Sequence, residues 1–319
     1  MRVVFMGTPD FAAEVLDKIV TAGHEVVGVV TQPDKPKGRG GAMAMSAVKE
    51  KALEYGITIY QPEKVKNNPE FMETMKQLNP DVSVVVAFGQ ILPQALLDVP
   101  QYGSINVHAS LLPAYRGAAP IQWAVIDGLA KTGVTTMQMD AGIDTGDIIM
   151  QKELELNPKE TGGSLFDRLS KAGAELLVQT LEALQNHTAS WTKQDDTKSN
   201  YAKMLDKSMG NIDFSQPADV LERLIRGLNP WPSAYTYLAG KTLKIWDADV
   251  AAKASNQDAQ PGTVIETAKD YFVVACGAHT ALRINEVQME GKKRMPAELF
   301  LRGYHLEEGI TLKMSRDVE

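Results

Sequence analysis

Short apolar runs alternate with amphipathic stretches through the first half of the chain. Runs such as RVVFM (2–6), EVVGVV (25–30) and VSVVVAF (82–88) have the length of buried strands, and apolar positions at helical spacing recur between them. Strands that are apolar on both faces, each followed by a helix, are typical of a parallel sheet with helices on both sides. We therefore predict an α/β domain with a Rossmann-like, mainly parallel sheet over residues 1–189.

The pattern changes near residue 190. The stretch 190–207 is polar and aperiodic, which predicts a linker, and PADVLERLIRGLN (217–229) predicts one helix. The remainder is strand-like, with five or six short strands over about 90 residues, a pattern typical of a small barrel. We expect a second, C-terminal domain at 208–319, an OB-like β-barrel.

Composition and charge exclude several classes of protein. The formal net charge of −7 over 319 residues does not indicate a basic nucleic-acid binder. The single cysteine, Cys276, excludes a disulfide framework and a cysteine-rich zinc site within the chain, and we expect it to be a small buried hydrophobe. No apolar run could span a bilayer and no signal peptide precedes the first strand, so we expect a cytoplasmic protein without an anchor.

The first strand-to-helix turn, MGTPDF (6–11), argues against a nicotinamide oxidoreductase. A dinucleotide-binding turn needs the pattern G-x-G-x-x-G so that the backbone can approach a pyrophosphate. Only Gly7 is present here, and Pro9 removes a backbone donor at the helix start. The sequence thus predicts a Rossmann-like sheet without a nicotinamide cofactor.

An amide and an imidazole stand two residues apart at the end of the predicted strand YGSINVH (102–108). Asn106 and His108 share one face of that strand, because successive side chains point to opposite faces. A buried amide without a partner costs about 1–3 kcal/mol, so the pair needs partners or a ligand. Ligands of open α/β sheets bind at this end of the strands, but a satisfied structural pair also fits the pattern.

Asp144 is the second polar candidate, in the segment MDAGIDTGDII (139–149) between two predicted strands. Gly142 and Gly146 flank it, in a turn that can bring its carboxylate close to another strand. A carboxylate beside His108 would fix which ring nitrogen carries the hydrogen. An ordinary turn aspartate is the alternative, since the sequence does not show whether the two side chains meet.

Taken together, four motifs resemble the folate-dependent formyltransferase family. They are NVH (106–108), SLLP (110–113), YRGAAP (115–120) and DAGIDTGD (140–147). Similarity to the branch of that family that acts on aminoacyl-tRNA extends nearly end to end, through FMGTPDFA (5–12), VTQPDKPKGRG (30–40), VVVAFGQILP (84–93) and NPWPSAY (229–235). The chain does not depart from the family pattern at Asn106, His108 or Asp144.

The resemblance implies a reaction. The donor is 10-formyltetrahydrofolate, and the acceptor is the α-amino group of methionine on initiator Met-tRNA, whose formylated form starts translation. The amine attacks directly and charge develops on the formyl oxygen, with no covalent enzyme intermediate and no metal. Donors aimed at such an oxygen can contribute about 3–4 kcal/mol each. Asn106 and His108 are the expected donors, and Asp144 is expected to hold His108 or to relay the amine's proton.

The resemblance also implies binding sites. A pteridine ring needs apolar walls with a few backbone hydrogen bonds, which the stretch 87–93 and the SLLP loop could supply. The expected folate-binding residues are Ser110, Leu111, Leu112 and Pro113. The basic loop 32–43 is implied to reach the acceptor end of the tRNA, with Arg39 as its contact, although a solvated loop fits equally well.

An RNA-positioning role for the second domain is implied by the resemblance alone. The charge of the domain does not indicate such a role, because the domain is not basic. Its one positive cluster is Lys292, Lys293 and Arg294, which a solvated surface would also explain, and we expect Trp231 to pack rather than to stack on a base. We expect a monomer.

The rival enzymes are formyltransferases of glycinamide ribonucleotide or of an amino sugar. A further rival is a nucleic-acid-binding module with a degenerate enzyme domain, which the intact Asn106, His108 and Asp144 disfavour.

Overall fold

The computed structural model describes residues 1–37, 42–252 and 259–316, without the side chains of residues 37 and 42. Arg39, for which the sequence predicts a tRNA contact, lies outside the described residues. Within the described ranges, no helix has both the length and the apolar character needed to cross a bilayer.

The chain forms two compact units, and each unit is discontinuous in sequence. Unit 1 comprises Met1–Pro120, Lys131–Glu155 and Phe166–Ala202. Unit 2 comprises Ile121–Ala130, Leu156–Leu165 and Lys203–Glu319.

Strands alternate with helices along most of unit 1 and predominate in unit 2. The strands are β1 (Arg2–Gly7), β2 (Glu25–Val30), β3 (Lys35–Lys37), β4 (Ala42–Ala44), β5 (Ile59–Tyr60), β6 (Val82–Val86), β7 (Ser104–His108), β8 (Arg116–Gly117), β9 (Lys131–Gln138), β10 (Ile148–Glu155), β11 (Tyr201–Ala202), β12 (Ala234–Leu238), β13 (Lys241–Val250), β14 (Val264–Thr267), β15 (Phe272–Cys276), β16 (Thr280–Met289) and β17 (Met295–Pro296). The α-helices are α1 (Asp10–Thr21), α2 (Ala47–Glu54), α3 (Pro69–Leu78), α4 (Gln94–Leu97), α5 (Pro120–Ile126), α6 (Gly162–Gln185), α7 (Ala218–Gly227) and α8 (Ala297–Gly303).

A seven-stranded sheet forms the centre of unit 1, in the order β10-β9-β7-β6-β1-β2-β5. The five strands from β7 to β5 are parallel, whereas β9 runs antiparallel to β7 and β10 antiparallel to β9. The chain builds outward from β1 first through β2 and then through β6, so the strand order reverses beside β1. Ligands bind at the carboxyl ends of the strands near such a reversal. The predicted Rossmann-like, mainly parallel sheet is confirmed.

The two faces of this sheet are covered differently near the end of β7. On one face, Val4, Met6 and Val85 form a buried cluster with Phe71 and Met75 of α3. On the other face, α6 lies so close that a Cβ on Gly173 would be 2.9 Å from Cγ1 of Val107. Because Val107 faces α6, its neighbours Asn106 and His108 point to the α3 side.

Unit 2 contains an antiparallel sheet in the order β12-β13-β16-β15-β14, with β17 beside β16. The C-terminal segment joins the two edge strands, since Thr311 bridges to Thr263 beside β14 and Lys313 bridges to Tyr237 of β12. The amides of Tyr237 and Lys313 donate to each other's carbonyl oxygens at 2.9 and 3.0 Å. This closure satisfies both sheet edges and confirms the predicted small β-barrel.

Two local predictions differ from the structure. The pattern RGAAPIQWAVIDG (116–128) predicts one helix, but α5 begins only at Pro120 because residues 116–117 form β8 against β11. The strand-like interpretation of the last 90 or so residues missed α8, which begins after Pro296 and buries Ala297 and Phe300 at helical spacing.

Candidate active site

Asn106 lies in the middle of the sheet, with β6 on one side and β9 on the other. It is in register with Val85 of β6 and Met137 of β9. Its Nδ2 donates to the carbonyl oxygen of Val85 at 3.1 Å, which fixes the plane of the amide. Its Oδ1 is buried and has no hydrogen-bond partner among the described residues. A buried acceptor without a donor lowers the stability of the folded protein, unless a ligand supplies the missing hydrogen bond.

His108 ends β7 and is held on both sides. Its Nε2 lies 2.8 Å from the carbonyl oxygen of Tyr115. Because a carbonyl oxygen can only accept, Nε2 carries a hydrogen and donates it. The other ring nitrogen, Nδ1, faces Oδ2 of Asp144 at 3.6 Å, and the two side chains are only 7% and 17% exposed. This separation exceeds a hydrogen bond, and apo catalytic contacts commonly tighten when substrate binds.

Asp144 reaches this position from a tight turn between β9 and β10. Its φ of 54° lies in the left-handed region, which Asp tolerates better than most residues. Its Oδ2 also accepts from the backbone N–H of Gly117 at 2.8 Å. Gly146 is required two residues later, because a Cβ there would lie 1.7 Å from the carbonyl oxygen of Gln138. The turn therefore brings the carboxylate to the end of β7.

Two buried residues that hold this turn were missed by the sequence analysis. Arg116 and Gln194 are 9% and 6% exposed, and Nη2 of Arg116 donates to Oε1 of Gln194 at 2.8 Å. Gln194 stands in the stretch interpreted as a polar linker, where nothing in the local pattern marks it as buried. Arg116 falls inside the YRGAAP motif, which is the signal that could have pointed to it.

The SLLP loop splits into inward and outward side chains. Ser110 is 1% exposed and donates from Oγ to the carbonyl oxygen of Ala114 at 2.6 Å, so its hydroxyl is used within the loop. Leu112 is 3% exposed, and its N–H donates to Oγ1 of Thr135 at 3.1 Å. Leu111 and Pro113 are half-buried and are the two predicted folate residues whose side chains remain accessible.

The apolar stretch after β6 is divided in the same way. Phe88 and Leu92 are buried in the core beneath α3 and α4. Ala87 and Gly89, both with positive φ, lie on the surface, and Ile91 is 76% exposed. Exposed apolar residues at the carboxyl edge of a sheet are suited to contact a flat ring.

The described part of the basic loop is anchored at its base. Nζ of Lys49 donates to Oδ2 of Asp34 at 2.7 Å, and Gln61 donates to the same carboxylate at 2.8 Å. These hydrogen bonds from Lys49 and Gln61 hold the pKa of Asp34 below its usual value. A crevice of about 240 Å³ opens beside this anchor, lined in part by Thr8 and Met45, at the carboxyl ends of β1 and β2.

Three other candidate residues, Cys276, Trp231 and Arg294, belong to unit 2. No group of three or more metal-ligating side chains occurs among the described residues. Cys276 is buried within the core of unit 2, as expected. Trp231, which we expected to pack, is instead 55% exposed. Arg294 is paired with Glu286 at 2.5 Å and stacks on Trp246, so its charge is partly neutralised.

The family of the chain follows from its sequence as a whole. The profile of the formyl transferase family matches residues 1–181, and the profile of the formyl transferase C-terminal domain matches residues 204–305. The chain therefore belongs to the formyl transferase family, which confirms the resemblance drawn from the motifs.

Curated relatives define the branch. Methionyl-tRNA formyltransferase of Lachnospira eligens is 58% identical over 98% of this chain and 99% of its own length. Methionyl-tRNA formyltransferase of Agathobacter rectalis is 54% identical over 97% of this chain and 98% of its own length. The predicted class of enzyme, a formyltransferase of the methionyl-tRNA branch, is thereby confirmed.

Solved structures agree on the fold. WlaRD, a sugar 3N-formyl transferase whose structure was solved with dTDP and 5-N-formyl-THF, superposes with a TM-score of 0.65 at 19% identity, over 92% of this chain and 99% of that chain. HypX from Aquifex aeolicus, in complex with tetrahydrofolic acid, gives a TM-score of 0.63 at 14% identity, over 100% of this chain and 52% of that chain.

Proposed function

We propose that this protein transfers the formyl group of 10-formyltetrahydrofolate to the α-amino group of methionine on initiator Met-tRNA. The observation that carries this proposal is the amide oxygen of Asn106 beside the His108–Asp144 pair, which is buried and has no hydrogen-bond partner in the part of the chain that the structure describes. The choice of acceptor rests on the near full-length similarity to methionyl-tRNA formyltransferases.

Asn106 faces the reacting groups. One N–H of its amide is held by the carbonyl oxygen of Val85, so the amide cannot rotate freely. Its second N–H donates to the formyl oxygen as negative charge develops there, and its Oδ1 accepts from an N–H of the incoming amine. Because the amide is fixed before substrate arrives, the transition state does not bear the cost of orienting it.

His108 and Asp144 act as a pair. As charge develops, the N–H on Nε2 of His108 turns from the carbonyl oxygen of Tyr115 toward the formyl oxygen. Oδ2 of Asp144 accepts, directly or through water, the proton that the amine loses as its nitrogen bonds to the formyl carbon. The bond from that carbon to N10 of the folate then breaks, and the same proton passes to N10, so that neutral tetrahydrofolate leaves. No side chain becomes covalently attached to the formyl group.

The donor lies between the SLLP loop and the stretch after β6. The accessible side chains of Leu111 and Pro113 form one apolar wall, and Ile91 forms the other. Ser110 and Leu112 contribute by fixing the loop backbone from inside, through Ala114 and Thr135. These contacts hold the folate ring while the formyl group reaches Asn106.

The acceptor end of the tRNA is held by the basic loop 32–43, with Arg39 as the phosphate contact. The barrel of unit 2 contributes Lys292 and Lys293, which are exposed and, unlike Arg294, form no ion pair with an acidic side chain among the described residues. The enzyme acts as a monomer in the cytoplasm.

An acceptor comparison tests this proposal. The purified protein and 10-formyltetrahydrofolate are offered initiator Met-tRNA, glycinamide ribonucleotide and an amino sugar nucleotide in parallel, and formylated product is measured. The proposal predicts turnover with Met-tRNA alone. Turnover of either small substrate with none of Met-tRNA would reject it.

A further inference from the structure

The carboxamide of Gln194 has all of its hydrogen-bonding capacity in use. Its Nε2 donates to the carbonyl oxygens of Asp144 at 2.9 Å and of Gly146 at 2.7 Å. Its Oε1 accepts from Nε and Nη2 of Arg116, at 3.1 and 2.8 Å. A primary amide has two N–H donors and one oxygen with two lone pairs, so no part of this group is free. The side chain is 6% exposed.

The contacts of Gln194 join residues 115–117 to the turn that carries Asp144, and these two segments hold the side chains of His108 and Asp144. The carbonyl oxygen of Tyr115 accepts from His108, and the N–H of Gly117 donates to Asp144. Arg116, between them, is tied by Gln194 to the backbone of the turn that carries Asp144. The distance between His108 and Asp144 is therefore set by one tripeptide and one turn, and Gln194 connects the two.

We propose that Gln194 is a positioning residue for formyl transfer, which holds the Asp144 turn in register with His108. This inference rests on the proposed function. It assigns a role to the segment after α6, because Thr192 bridges to Ile148 and Tyr201 pairs with Arg116 on either side of Gln194.

The physical reason is the conformation of the turn. Asp144 has a φ of 54°, and a residue in this region persists only where its surroundings hold it. Without Gln194, the carbonyl oxygens of Asp144 and Gly146 lose these donors, and the turn can relax. A displacement of about 1 Å in a catalytic group can reduce turnover by about 100-fold.

Two variants separate this role from simple packing. Gln194→Glu has nearly the same size and keeps an oxygen for Arg116, but its carboxylate cannot donate to the carbonyl oxygens of Asp144 and Gly146. Gln194→Ala removes all four hydrogen bonds. We expect both to lower kcat by about 30-fold, with KM for Met-tRNA and for the folate changed by less than about threefold. Gln77→Ala, at an exposed position on α3, is the matched control and should keep wild-type kinetics.

A double-mutant cycle identifies the residue through which Gln194 acts. Gln194→Glu is measured in the wild-type protein and in Asp144→Ala, by single-turnover formyl transfer, with the melting temperature of each variant. If Gln194 acts through Asp144, the substitution changes the rate by less than about twofold once Asp144 is absent. Should Gln194→Ala fail to fold, Gln194→Glu alone decides.

Three outcomes have distinct meanings. A Gln194→Glu variant within twofold of the wild-type rate overturns the inference, and so does an equal loss in both backgrounds. Absence of formyl transfer to Met-tRNA by the wild-type protein overturns the proposed function instead.

Discussion

Asn106 and His108 share one face of β7, but the protein satisfies their polar atoms differently. Both ring nitrogens of His108 face protein oxygens, on Tyr115 and Asp144. Asn106 has one N–H bound and its oxygen unpartnered among the described residues. The amide of Asn106 is therefore free to accept a hydrogen bond from a ligand, whereas Tyr115 and Asp144 fix the orientation of the imidazole of His108.

The sequence could place these two residues on one face, because strand periodicity requires only local information. It could not show that Asp144 reaches His108. That contact depends on the pairing of β7 with β9, on the close approach at Gly146, and on Gln194 about 50 residues further along the chain. The role of Arg116 was hidden for the same reason, since its partner lies in a stretch that looks solvated.

Cys276 gives a pH-dependent prediction at the residue scale. Burial raises the pKa of its thiol from 9.0 to about 12. Above pH 9 the unfolded chain releases a proton that the folded protein keeps, so stability falls as pH rises toward 12. Between pH 9 and 10.5, we expect the free energy of unfolding of the wild-type protein to fall by about 1.5 kcal/mol more than that of Cys276→Ala.

Urea unfolding of both proteins at the two pH values measures this difference. Equal pH dependence in the two proteins would show that the thiol is not buried in the folded state. Enzyme activity is not a suitable readout for this prediction, because Cys276 lies in the core of unit 2 and not among the predicted catalytic residues.

At the scale of elements, apolar runs predicted the central strands β1, β2 and β6 of unit 1, because five or six consecutive apolar residues suit few other positions. The small elements escaped prediction. The pair β8 and β11 forms between segments about 85 residues apart, and neither has a periodicity of its own. Helix α8 is only seven residues long, too short for its spacing to stand out from a strand pattern.

Closure of the barrel by the C-terminal segment is testable with one substitution. Lys313→Pro removes the N–H that donates to the carbonyl oxygen of Tyr237, and with it one of the two backbone hydrogen bonds that pair these residues. We expect a loss of about 2 kcal/mol in the free energy of unfolding. Lys313→Arg keeps both the N–H and the positive charge, and it should stay within about 0.5 kcal/mol of the wild type. Equal stability of the two variants would contradict the closure.

At the scale of the whole molecule, the sequence predicted two architectures and their order along the chain. It did not predict that residues 121–130 and 156–165 belong with the C-terminal unit. Those segments lie inside the alternating α/β pattern, and only long-range contacts assign them to a unit. The domain boundaries that the sequence suggests therefore stay a prediction: a catalytic domain that ends at residue 189, a linker over 190–207, and an RNA-positioning domain from residue 208.

Recognition of tRNA is expected to depend on local charge, because the chain as a whole has a net charge of −7. Arg39→Ala should raise KM for Met-tRNA while leaving folate binding unchanged. It should also reduce the slope of log KM against log salt concentration by about 1, since one phosphate contact is lost. Lys76→Ala, an exposed charge on α3, is the control. An unchanged KM for Arg39→Ala would reject this assignment.

The central claim is that Asn106, His108 and Asp144 together stabilise the charge that develops on the transferred formyl group. The most direct measurement is the single-turnover rate of formyl transfer to Met-tRNA by Asn106→Ala, His108→Ala and Asp144→Ala, at saturating folate. The account predicts that each variant, folded as judged by its melting temperature, is slower than the wild type by about 100-fold or more. Near-normal rates in any two of the three would contradict it.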